Sequence, residues 1–218
     1  MNPRTIVILF TILGLNTACA PQPTSPVDLS GTNFDGLQEI NSAYFSAAFM
    51  RPGVNFNDYQ ELLLGDTELA FRTPDREKQQ FPLTSKQKDQ FRQLLDAQFS
   101  NEFAQSKTLR MTDVVGPEAL RLNVRVQDIV AMVPPRSVSG VGDIALQALA
   151  EATLVIEISD SESGEILARV FDRRAFEGTA IAQRHAAPIT QWEEVDAVCI
   201  RWAETVRARL DAVVSGKF

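Results

Sequence analysis

The chain has 218 residues, of which 44% are hydrophobic and 22% charged, a globular balance that excludes collagen-like and disordered compositions. A formal net charge of −7 disfavours general binding to phosphate backbones and a broad cationic grip on anionic lipid. Arg4 then precedes a mostly apolar run, Thr5 to Leu15, which is shorter than the roughly 20 residues a membrane-spanning helix needs. One cation followed by such a run is the pattern of an export signal, and the alternative is a buried helix of the domain. The polar, Pro-rich stretch behind it is a poor core partner, which favours the signal over residues 1–18.

The sequence Leu15-Asn16-Thr17-Ala18-Cys19 resembles a lipobox, in which small residues precede a cysteine that takes lipid. The usual Leu three places before the cysteine is replaced by Asn16, with Leu15 one residue further back. The rival is ordinary cleavage after Ala20, which would leave Pro21 after the cut. Lipidation of Cys19 is the expected modification; each buried methylene contributes about 0.8 kcal/mol and two chains already hold a protein on a membrane. Ala20 after the cysteine resembles the sorting signal of lipoproteins sent to the outer membrane. Cys199 would then have no disulfide partner, since the chain has two cysteines.

Residues 20–33, rich in Pro, Ser and Thr, form the expected tether, able to reach roughly 40 Å at about 3.1 Å per residue. Residues 34–218 are expected to make one α+β domain. Phe34, Tyr44, Phe45 and Phe49 either pack on that domain or form a partner-binding arm. Tyr59–Phe71 reads as a strand with an irregularity near Gly65, and Thr84-x-x-Gln87 is a capping box opening a helix through about residue 105. Leu109–Val115 reads as a strand. Ala119–Val130 alternates Leu120, Leu122, Val124 and Val126 with Arg121, Asn123 and Arg125, giving one buried and one wet face. Val133-Pro134-Pro135 stops it, residues 133–142 read as a loop, and Asp143–Ala150 as a short helical turn.

Thr153–Ser159 and Glu165–Arg173 form a hairpin around Asp160-Ser161-Glu162-Ser163-Gly164. Thr190-x-x-Glu193 is a second capping box, followed by Trp192, Val195, Cys199, Trp202, Val206 and Leu210 at helical spacing. Arg207 and Arg209 would suit the end of its dipole. Two helices with apolar stripes and several strands predict a two-layer α+β sandwich, with a mostly antiparallel sheet and both long helices on one face.

Three segments carry a family resemblance: Arg51-Pro52-Gly53 followed by Tyr59; the hairpin Asp160 to Glu165 leading to Asp172-Arg173-Arg174; and the helix Trp192 to Leu210 with Trp202-Ala203-Glu204. Over roughly residues 34–213 the chain resembles bacterial lipoproteins of the domain-of-unknown-function 3313 family. The resemblance implies a lipoprotein signal and an α/β periplasmic domain. It supplies no activity, so no catalytic residue is carried over.

Candidate chemistry is sparse. His185 is the lone histidine and reads as a solvated loop residue; Cys199 reads as a buried, inert thiol. No CxxC, P-loop, GxSxG or HExxH motif is present. Asp172, Arg173 and Arg174 either grip a carboxylate or phosphate or lock the strand through an Arg–Asp pair. No metal site or cofactor is expected. The expected function is a non-enzymatic binding or accessory lipoprotein, with the membrane and another envelope protein as partners. The alternatives are a carboxylate- or Arg-dependent envelope enzyme and a carrier of lipid or small ligands.

Overall fold

The computed structural model describes residues 35–72, 84–132, 148–175 and 192–217. Strands β1 (Gln38–Ile40), β2 (Ala47–Met50) and β3 (Glu61–Phe71) precede helix α1 (Ser85–Phe103). Strands β4 (Arg110–Met111), β5 (Ala119–Met132), β6 (Ala148–Asp160) and β7 (Ile166–Ala175) follow, and helix α2 (Trp192–Val214) comes last. The strands form one seven-stranded sheet in the order β1-β2-β7-β6-β5-β3-β4. Four of the pairings are antiparallel, while β3 runs parallel to both β4 and β5. Parallel neighbours need a long crossover, which α1 supplies between β3 and β4. The result is the predicted α+β two-layer sandwich with a mostly antiparallel sheet.

Both helices cover the same face. Phe91, Leu95, Phe99 and Phe103 of α1 and Val195, Val198, Cys199, Trp202, Val206 and Leu210 of α2 are buried in one cluster. Leu120, Leu122, Val124 and Val126 of β5 and Leu154 and Ile156 of β6 meet them from the sheet. Each such side chain contributes about 1.5–3 kcal/mol when fully buried. The Thr84 box forms as expected: the Gln87 amide donates to Thr84 Oγ1 at 3.3 Å, and the Thr84 amide to Gln87 Oε1 at 2.9 Å. Polar ties then fix the helices to each other, Gln98 Nε2 to Asp196 Oδ1 at 2.8 Å and Arg207 Nε to Glu102 Oε2 at 3.0 Å. Helix α2 runs on to Val214, so Arg207 and Arg209 lie short of its last turn and Arg207 serves this bridge instead.

Some local expectations change. Only Arg110 and Met111 of the stretch 109–115 pair as a strand. The Ser161 hydroxyl hooks both the N–H and the C=O of Gly116, turning the chain back toward β5 and leaving Val114 and Val115 exposed. Residues 148–150 are not helical; Ala148 and Leu149 pair with Met132 and Ala131 of β5, and the ladder overrides the helix preference of an Ala-rich segment. The region after residue 34 holds two strands that alternation did not reveal. The 133–142 loop, Thr190 and residues 1–34 lie outside the described residues.

Candidate functional site

The sequence-predicted cluster divides between the two faces of β7. Asp172 turns toward the helices, where the Trp202 Nε1–H donates to its Oδ2 at 3.0 Å. Both residues are buried, at 6% and 2% exposure. Arg173 falls on the opposite side of the strand, and its backbone N–H donates to Ser46 Oγ at 3.0 Å. The Arg174 side chain, Cys19 and His185 lie outside the described residues. Strand locking through Asp172 therefore runs to an indole on α2, a partner that strand periodicity could not name. Cys199 is fully buried, and burial, followed by the negative charge of Asp196, pushes its thiol up to about 12.

The segments Arg51-Pro52-Gly53, Tyr59 and Asp160–Glu165 converge at one corner. Arg51 Nε donates to the Ile166 carbonyl at 2.8 Å and Arg51 Nη2 to the Asp35 carbonyl at 2.5 Å, and Arg51 pairs with Glu165 at 3.3 Å. Tyr59 Oη donates to Asp160 Oδ2 at 3.1 Å. Asp160 Oδ1 accepts from the Ser163 amide and hydroxyl at 2.7 and 2.8 Å, closing the turn, and Gly164 supplies the positive φ of 73° that the turn demands. Burial works to raise the Asp160 carboxyl, but the bonds from Ser163, Tyr59 and Glu162 outweigh it and hold it below the usual carboxylate range. Burial and then Asp160 push Tyr59 up to about 12. These polar atoms are engaged in holding strand ends together.

The aromatics after residue 34 also divide. Phe49 is buried with Leu37, Ala47, Val155 and Phe171, and meets Phe171 edge-on at 6.0 Å between centroids. Phe45 is half-buried against the main core. Tyr44 is 51% exposed, with the Arg209 guanidinium 3.7 Å from its ring centroid. Phe45 and Phe49 thus pack on the domain; Phe34 lies outside the described residues.

What remains as a candidate surface is the sheet face away from the helices. Register lays out two rows across it. One runs Phe49, Arg169, Glu157, Asn123, and the next Ala47, Phe171, Val155, Arg125, Glu68. Arg169 pairs with Glu157 at 2.6 Å and Asp35 at 2.8 Å, and Arg125 with Glu68 at 2.8 Å. Burial acts to lower Arg169, but hydrogen bonds from Glu157 and Asp35 outweigh it and raise it. Asn123 lies over Gly65, where an added Cβ would stand 1.9 Å from its Oδ1, so the close approach requires glycine. Asp66, Glu68, Asn123, Arg125, Glu157 and Arg169 border a recess of about 430 Å³ floored by Val155 and Phe171. Sequence alternation had marked Asn123 and Arg125 as wet; it gave no sign of the acids that would meet the β5 and β7 arginines, because pairing register is a long-range property. Among the described residues, no group of three or more His, Cys, Asp or Glu is placed to hold a metal, and no helix is long and apolar enough to cross a membrane.

Fold and surface define a class: a two-layer α+β domain with a mixed sheet, helices on one side and a charge-laced face on the other. Within that class the chain belongs to the DUF3313 family, described as a protein of unknown function, whose model matches residues 29–206. No curated protein matches the chain. Among solved structures, the PelC dodecamer from Paraburkholderia phytofirmans is similar at 10% identity, covering 75% of this chain and 96% of that one, with a TM-score of 0.35. A minor lipoprotein from Acinetobacter baumannii is similar at 12% identity, covering 71% and 92%, with a TM-score of 0.28. Likenesses this distant carry no argument about activity.

Proposed function

We propose that this chain is an exported lipoprotein, held by acyl chains on Cys19 in the inner leaflet of the outer membrane, whose domain faces the periplasm as a non-enzymatic binding module. The observation that carries the reading is the contrast between the two cysteines. Cys199 is sealed in the core with its thiol pushed up to about 12, which makes it a poor nucleophile and a poor disulfide partner. Cys19 follows a cation, an apolar run and Ala18, the setting in which a cysteine is acylated. A tether over residues 20–33 would let the domain stand up to roughly 40 Å from the lipid.

A binding role is favoured over chemistry by what the polar groups do. Asp172, Asp160, Tyr59 and Arg51 each hold one element to another, and Arg125 and Arg169 of the open face are paired with carboxylates. A carrier role is disfavoured because Phe91, Leu95, Phe99 and Trp202 fill the space between the layers. The anchoring is tested by feeding labelled palmitate to cells making the chain and its Cys19→Ser form. Label should enter the first alone, and the Cys19→Ser form should move from the membrane to the soluble periplasmic fraction. Unlabelled wild-type protein would overturn the reading.

A further inference from the structure

The sheet ends on one side in an incompletely covered strand. Among the described residues, β4 pairs with β3 only at Glu61 and Leu62, and the Thr112 amide closes that pairing on the Leu62 carbonyl at 2.9 Å. From Leu63 to Phe71 the outer side of β3 has no strand partner among the described residues. The Leu62 carbonyl points outward, the Arg72 amide points inward to the Ile129 carbonyl, and the register shifts between Leu64 and Thr67. The second shift, between Leu69 and Phe71, puts its extra residue on β5, so alternation along β3 with the one extra β3 residue before Thr67 sets the amides and carbonyls of Thr67 and Leu69 along the open side. The other edge of the sheet, β1, is only three residues long.

An open edge of this length invites another strand unless it is guarded, commonly by Lys or Pro. Leu63–Phe71 contains neither, nor Arg. Its charges are Asp66 and Glu68, both exposed. Beside the edge, residues 65–70 and the α1 residues Arg92 and Asp96 border a recess of about 600 Å³. Arg92 is turned to Asp89 at 3.3 Å and Glu68 to Arg125 at 2.8 Å, which leaves Asp66 and Asp96 to set the charge of the recess. A second copy pairing here would bring Asp66 and Glu68 against acids like themselves, which is unfavourable across a strand pair. A strand bearing Lys or Arg would meet Asp96 with side chains on the helix side and Asp66 on the other, Glu68 being already paired with Arg125.

We propose that the edge of β3 left open among the described residues is a docking site for an extended, basic segment of another protein, added to the sheet as a further strand. The proposal deepens the binding reading above by naming its surface and partner class, and it does not depend on the lipid. The probe is a capped peptide alternating lysine and valine, with a glutamate–valine peptide as control, offered to the detergent-isolated full chain. Amide hydrogen exchange and peptide anisotropy are the readouts. The lysine peptide should slow exchange at Thr67 and Leu69 and bind at least about tenfold more tightly than the control. The exposed double variant Asp66→Lys/Asp96→Lys, with its melting temperature checked, should lose that binding. Exchange at Thr67 and Leu69 unaffected by the lysine peptide would overturn the proposal. So would equal binding by the charge-reversed variant, or self-association of the free chain protecting the same amides. Failure here leaves palmitate labelling untouched, and a missing lipid leaves this binding untouched.

Discussion

Trp202 reaches from α2 to Asp172 on β7, its indole N–H donating to the carboxyl at 3.0 Å inside the layer interface. Two segments 30 residues apart in sequence are joined by one hydrogen bond between buried groups. Trp202→Phe keeps most of the ring volume and removes the donor, so the expected loss is about 1–3 kcal/mol in urea unfolding. In a double-mutant cycle with Asp172→Leu, which removes the acceptor, the two losses should add up to more than the loss in the double variant. Strict additivity would mean that the bond holds nothing.

Cys199 should behave as a sealed thiol. Only thiolate reacts with a disulfide reagent, and a thiol pushed up to about 12 carries almost none near neutral pH. Labelling of folded protein should be slower than in denaturant by more than about a thousandfold. Fast labelling of the native chain would show that the α2 face opens readily. Cys19→Ser keeps the count to one thiol.

Gly65→Ala should cost about 1–3 kcal/mol, because the new methyl stands where Asn123 Oδ1 now lies and the Leu122 carbonyl is 3.3 Å away. Adding Asn123→Ala should recover part of the loss, since it empties the contested space. A melting series on the two singles and the double checks this. No recovery would place the cost in the backbone of β3.

Stability should fall at both ends of the pH scale, for different groups. Burial works to raise Asp160 and Asp211, but Ser163 for the first, and Ser106 and Thr108 for the second, lead the hydrogen bonds that hold both below the ordinary range. Their contribution is present above an unfolded Asp value of about 3.9 and is lost as pH falls through the lower folded values. Tyr59 and Cys199 are raised to about 12. Their contribution is present below unfolded values of about 10 and 8.5 and is lost as pH climbs from there toward the folded values. Urea midpoints measured against pH should show Asp211→Asn flattening the acid limb and Cys199→Ala the alkaline one.

The long elements were legible because their periods are local. Leu120 to Val126 alternate on β5, and Phe91, Leu95 and Phe99 recur on α1, so each advertised its buried side. The Thr84 box and the Asp160–Gly164 turn were legible for the same reason, being built from neighbours in sequence. β1 and β2 were hidden because a strand of three or four residues is held by its partners and has too few residues to show a period. At the site, Asp172 was visible as a candidate but Trp202 was not visible as its partner. Glu157 faces Arg169 within the β6–β7 hairpin, but Asp35 beside Arg169 and the exposed edge of β3 depend on which distant segments meet, which no local pattern encodes.

Intact mass spectrometry of protein extracted from membranes addresses the anchor most directly. The anchor predicts a polypeptide beginning at Cys19, heavier than its bare sequence by a thioether-linked diacylglycerol and an amide-linked acyl chain. A polypeptide beginning at Pro21, or one retaining residues 1–18 without added mass, would contradict it.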